Sequence, residues 1–227
     1  MDEKSEKIIA LLGEKSVTKQ IVYHNTLNAF KELKEALKFI SEQLKKNIKD
    51  FEQEVKIDFK DKGLFEAELH VGGDVLIFSM HTNVFKFTKD HSIYNLEYIK
   101  KDSNKAFCGV IHIYNFLGDS LKYNRQLDPG YLVGRVFLNK EYHFFVEGKH
   151  QLGFNFNHFD KQSIDKEKWT EIIQSAIIYA LEFDLVSPPY NSVQEISVLE
   201  KIQQAGLTAI KTAKKMGFRF NVENGGT

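Results

Sequence analysis

The spacing of hydrophobic positions changes along the chain and divides it into four zones. From about Val17 to Phe51, apolar residues fall at Phe30, Leu33, Leu37, Ile40, Leu44 and Ile48. Steps of three and four place them on one face of a helix. Leu27, Ala36 and Phe39 widen the stripe, and Lys31, Lys34, Lys38, Lys45, Lys46 and Lys49 take much of the remaining surface. A shorter helix over Glu3 to Leu12 is expected ahead of it, with Gly13 as its C-cap.

The second zone, Gln53 to about Phe159, has a period of two. Val55, Ile57 and Phe59 alternate with Glu54, Lys56, Asp58 and Lys60, as on a half-solvated strand. Asp61-Lys62-Gly63 reads as a turn, Leu64 to Val71 as the returning strand, and Gly72-Gly73-Asp74 as the next turn. Val75 to Thr88 and Phe107 to Phe116 are apolar on both parities, which predicts long strands covered on both faces. Tyr94 to Ile99 and Leu152 to Phe156 are expected as further strands. Tyr131 to Leu138 and Glu141 to Glu147 are expected as a hairpin around Asn139-Lys140.

The third zone, Ser163 to Asp184, is helical: Trp169, Ile172, Ile173, Ala176, Ile177, Ala180 and Leu181 follow the 3.6-residue period. Ser163 is the expected N-cap, with Asp165 and Glu167 in the first turn, where the helix dipole favours them. After Pro188-Pro189 a second helix is expected from Ser192 to Met216, followed by a frayed tail over 221–227. Strands in one block with helices at both ends imply an α+β fold. The expectation is a single domain over residues 1–227. It has an antiparallel meander of about six to eight strands, packed by a long N-terminal helix and two C-terminal helices.

Composition narrows the functional classes. The 227 residues carry 31 basic and 31 acidic side chains, and 42% are hydrophobic, which excludes a disordered chain. Zero net charge supplies no global basic field, and only Arg125, Arg135 and Arg219 are arginine, so a nucleic-acid partner is not expected. The lone Cys108 excludes a disulfide framework and a multi-cysteine zinc site. No stretch approaches the roughly 18 apolar residues of a membrane span, and the charged start lacks a signal-peptide pattern, so a cytoplasmic protein without a membrane partner is expected.

Candidate chemistry is concentrated in the hairpin. With the turn centred between Asn139 and Lys140, Leu132 lies opposite Glu147 and Gly130 opposite Lys149. Parity then brings Asp128, His143, Glu147 and Lys149 to one face. Two carboxylates can hold a divalent metal, and a nearby ammonium can stabilise developing negative charge. An acid at the start of one strand and Glu147-Gly148-Lys149 at the end of its partner resembles the core of the PD-(D/E)xK nucleases. The resemblance implies a metal-dependent phosphodiester hydrolase in which Asp128 and Glu147 bind the metal and Lys149 assists the nucleophile. The order here is Asp128-Pro129, where that motif has proline first.

Polar residues on apolar strands point elsewhere. Ser79, His81 and Asn83 share a parity, Tyr114 and Asn115 close another strand, and Tyr123 and Arg125 stand in a polar loop. Such groups among aromatics would line a pocket beneath capping helices. His70, His81, His112 and His143 fall on strands without the close spacing of a local metal motif. The preferred expectation is therefore a non-catalytic module binding a small molecule or a protein, with no cofactor. A divalent metal enters only under the hydrolase alternative, and the long N-terminal helix offers a surface for a homodimer.

Overall fold

The computed structural model describes residues 1–149, 151–184, 187, 189–199 and 201–202. Helix α1 (Glu3–Leu11) is capped by Asp2, whose side chain accepts the Ser5 N–H at 3.0 Å. The expected stop at Gly13 does not occur. Leu12–Ser16 is a π-helical segment that runs directly into α2 (Val17–Asn47). Gly13 is not among the residues with positive φ, so it makes no left-handed cap, and the helix widens there without ending.

In chain order there follow β1 (Ile57–Asp61), β2 (Glu66–Val71), β3 (Asp74–Met80), β4 (Phe85–Lys86), α3 (Glu97–Lys101) and β5 (Phe107–Leu117). After these come α4 (Gly118–Lys122), β6 (Tyr131–Asn139), β7 (Phe144–Gly148), α5 (Gln151–Asn155), α6 (Lys166–Leu181) and α7 (Tyr190–Val193). The strands form one antiparallel sheet in the order β1-β2-β3-β5-β6-β7, and β4 pairs with β5. This is the expected α+β architecture: a meander with a long N-terminal helix and a C-terminal helix.

The sheet divides two cores. On one face α2 contributes Phe30, Leu33, Leu37 and Ile40 and α6 contributes Trp169, Ile172, Ile173 and Ile177; both pack on Leu69, Phe78, Ile111, Ile113, Val136 and Phe144. Full burial of each such side chain contributes about 1.5–3 kcal/mol. On the other face, Cys108, Val110, Phe137 and Phe145 meet Ile93, Ile99 and Phe159 in a smaller cluster. Central β5 feeds both: Ile111 and Ile113 turn to the helices, Cys108 and Val110 to the smaller cluster. At Gly109 the strand passes so close to α2 that an added Cβ would lie 2.1 Å from Thr26 Oγ1.

Several local expectations are corrected. The single strand over Val75 to Thr88 breaks after Met80. His81 Nδ1 accepts the Asn83 N–H at 3.0 Å, a turn forms, and the chain rejoins the same edge of β5 as β4. Tyr94 to Ile99 is not a strand but the junction of the short 3-10 turn Ser92–Asn95 and α3, joined by extended Leu96, and Ile93, Leu96 and Ile99, three apart, face the smaller cluster. Leu152 to Phe156 is also helical, with Leu152 and Phe156 four apart and buried together. The N-cap of α6 is Asp165, which accepts the Lys168 N–H at 2.8 Å, and Ser163 instead bridges to His143. The helix expected from Ser192 to Met216 does not start as predicted: α7 ends at Val193 and residues 194–197 are not helical, while residue 200, the remainder from 203 and the tail over 221–227 lie outside the described residues. Among those residues no helix is long and apolar enough to cross a membrane.

Candidate functional site

Strand register fixes what the sheet displays on the face turned away from α2 and α6. One rung across it reads Glu66, Ser79, His112, Arg135, Glu147. The next reads Lys60, Glu68, Ile77, Tyr114, Leu132, and a third Asp58, His70, Val75, Phe116. The first rung is polar throughout, and its His112 ring stacks on Tyr114 with centroids 5.8 Å apart. Burial holds the His112 imidazole below its usual range, helped by the positive charge of Arg135 and by His81.

The second and third rungs run into a cavity of about 910 Å³ between the β1–β2 side of the sheet and α4. Its floor is the buried pair Glu68 and His70 beside the Gly72-Gly73 turn, where Gly72 takes a φ of 60° that favours glycine. The tight β2–β3 turn keeps this floor flat, and the Gly118 N–H bonds to the Gly73 carbonyl at 2.7 Å, fastening α4 beside it. Lys56, Lys60 and Lys62 approach from β1 and its flanks, Lys122 and Arg125 from α4 and the loop beyond. Against these five cations stand two lining carboxylates, Glu68 and Asp119.

Inside the cavity the groups are ordered by charge. His70 Nε2 lies 3.2 Å from Glu68 Oε2, and Lys62 Nζ lies 3.1 Å from Glu68 Oε1. Burial pushes the Glu68 carboxyl up, but the hydrogen bonds from Lys62 and His70 outweigh it, and the group settles below its ordinary value. His70 is also held low, first by burial and then by Lys56 and Lys60, against the opposing pull of Glu68. An imidazole held below its usual range, a paired carboxylate and an excess of cationic side chains suit this hollow to an anion.

The residues singled out from sequence fall in different places. Arg125 lines the cavity, and Tyr123 stands at the same loop with the Lys122 ammonium 5.2 Å from its ring centroid. Ser79 and Tyr114 lie on the displayed face, while Asn115 turns to the opposite face and donates to Asp74 at 2.8 Å. His81 and Asn83 form the turn between β3 and β4, with the His81 ring edge-on to Phe85.

The hairpin set is not brought together as its predicted register required. Arg135, and not Leu132, lies opposite Glu147, because the connection is centred on Glu141 and not between Asn139 and Lys140. Glu147 is ion-paired with Arg135 and lies 3.5 Å from His91. Asp128 pairs instead with Arg125 at 2.8 Å and accepts from Ser120 Oγ at 2.5 Å. His143 bonds the Phe159 carbonyl at 2.9 Å and stacks on Tyr98, and the Lys149 backbone N–H donates to Val133. Among the described residues, no three His, Cys, Asp or Glu side chains are grouped as a metal ion requires.

Sequence reasoning missed Lys56, Lys60 and Glu68, and weighed His70 only as a strand histidine. Their signal was present: Glu68 and His70 alternate on β2 and so share a face, and Lys60 on β1 is the cross-strand partner of Glu68. No family model, no curated protein and no solved structure matches this chain.

Proposed function

We propose that this chain is a binding module of the cytoplasm, acting without catalysis, whose ligand is a small anion held in the cavity beside α4. One observation carries the reading: a hollow of about 910 Å³ lined by five cations and two carboxylates. Its volume falls within the range of small-molecule sites, and its excess positive charge concentrates anions at its mouth. Arg125 lines this hollow, and Ser79 and Tyr114 lie outside its lining on the same displayed face.

Titration calorimetry of the full chain with inorganic pyrophosphate tests the reading. The wild type binds, and the Lys56→Gln, Lys60→Gln double variant binds about tenfold more weakly, from losing roughly 0.7 kcal/mol per charge in a solvated site. Equal affinity of the two proteins, or no binding by either, overturns it.

A second contact is supported by a different observation. No residue of α1 is buried, and Ile8, Ile9 and Leu12 are each more than half exposed. Glu3, Glu6 and Glu14 interleave with Lys4, Lys7 and Lys15, so the segment is complementary in charge to an antiparallel copy of itself. The partner proposed there is a second copy of this chain.

A further inference from the structure

We propose that the cavity takes a small molecule bearing two phosphate-type anionic groups, and takes it up together with one proton from solvent, which lodges on His70. This rests on the anion-binding reading and adds to it the ligand's chemical class and its coupling to pH.

The two-group requirement comes from the way the cations are supplied. Lys56, Lys60 and Lys62 belong to the β1–β2 side, Lys122 and Arg125 to α4 and its following loop, and the Gly72-Gly73 floor lies between. Each arm can hold one anionic group. A lone phosphate would leave most of 910 Å³ empty and one arm unused. The arms also differ in readiness. Lys62 is tied to Glu68, Arg125 to Asp128, and Lys122 lies 3.9 Å from Asp119. Lys56 and Lys60 have no carboxylate within ion-pair distance among the described residues. They are the first charges an incoming anion meets unopposed.

The proton follows from where those two lysines stand. His70 is buried at the floor, bonded to Glu68, and the charges of Lys56 and Lys60 bear on it. Burial and these ammonium groups hold the imidazole below its usual range in the free protein. An anion on Lys56 and Lys60 cancels their repulsion and adds an attraction. The imidazole can then charge, with Glu68 already placed to accept its N–H in a charge-assisted bond.

The other ionisable groups around His70 do not compete for this role. On β1 these are Lys56, Lys60 and its cross-strand neighbour Asp58, which pairs with Lys45. On its own strand there is Glu68, tied to Lys62; at the start of β3 there is Asp74, bonded to Asn115. From the α4 side come Asp119, Lys122 and Arg125. All are carboxylates, ammonium or guanidinium groups, and histidine is the side chain that titrates between about pH 5 and 8. The sign is fixed. His70 binds its proton more tightly in the complex than in the free protein. Affinity for the anion therefore rises as pH falls through the complexed value and levels off once the free protein is also protonated.

Sulfonates stay fully ionised across this range, so they isolate the protein's proton from the ligand's. The experiment is titration of the full chain with propanedisulfonate and with methanesulfonate between about pH 8 and pH 5.5. The disulfonate should bind at least about tenfold more tightly than methanesulfonate. Its affinity should rise about tenfold toward the acid end, as one unit of pKa shift requires. His70→Gln should bind at the alkaline end and lose the pH dependence. In the wild type, the His70 ring resonance should titrate at higher pH when the disulfonate is bound, a readout that needs no variant. Affinity independent of pH, with an unmoved resonance, overturns the proton coupling and leaves the anion reading standing. Equal affinity for the two probes overturns the two-group requirement. Binding of neither probe nor of pyrophosphate overturns the reading beneath both.

Discussion

Asn139 makes four side-chain hydrogen bonds and is fully buried. Its amide N–H groups reach the Tyr98 hydroxyl at 2.9 Å and the Lys105 carbonyl at 3.2 Å; its oxygen accepts from Glu141 at 2.9 Å and His143 at 3.1 Å. Every donor and acceptor of the carboxamide is used. Asn139→Ala strands several of these partners away from water and should cost about 3 kcal/mol, read as a lower midpoint in urea denaturation. The same residue explains why the β6–β7 register was not legible from sequence. Asn139-Lys140 has the composition of a tight turn, but Tyr98 and Lys105 are distant in sequence and hold Asn139 as the last residue of β6. The cavity was legible only in part for a related reason. Alternation through β1 and the residue before it suggests that Lys56 and Lys60 share a side, but not that Lys122 and Arg125 will be brought over it by α4 and the following loop.

Elements were legible where one periodicity ran long enough to dominate. The central stripe of α2 (Phe30, Leu33, Leu37, Ile40), the first half of β5 and the Trp169 to Ala180 face of α6 bury as their spacing requires, whereas Leu27, Leu44 and Ile48 are only partly covered and Phe39 is exposed. Short apolar runs were not, since Ile93, Leu96 and Ile99 satisfy a strand's composition while burying at a helical spacing of three. How closely two elements approach is a further quantity that periodicity does not carry, and at the α2–β5 contact it rests on Gly109. An alanine Cβ there would lie 2.1 Å from Thr26 Oγ1 and 2.8 Å from Thr26 Cβ and Cγ2, and Thr26 is itself fixed by a 2.7 Å bond to the Val22 carbonyl. Gly109→Ala should therefore destabilise the protein by about 2 kcal/mol as strand and helix are forced apart. Thr26→Ala in the same chain removes two of the three contacts and should return part of that loss, a coupling measured by a double-mutant cycle in denaturant.

For the whole molecule, the consequential surface is the N-terminal extension of the long helix. Because none of α1 is buried, its apolar residues add little to the stability of one chain and stay available to a second. Light scattering of the full chain should give twice its 26.3 kDa. Replacing Ile8 and Leu12 by lysine should return it to one copy with an unchanged melting temperature. A fall in melting temperature at a mass that is already monomeric would show instead that α1 serves its own chain. The packing of β5 sets how such a molecule comes apart. Its alternate side chains supply both cores, and it is flanked by β3 and β4 on one edge and by β6 on the other. One backbone is thus shared property of two layers, and among the described residues there is no seam along which the smaller cluster could peel away while the helical layer stays shut. Damage to either layer is felt by both, and the cavity at the end of that strand, which Leu117 helps to line, shares their fate.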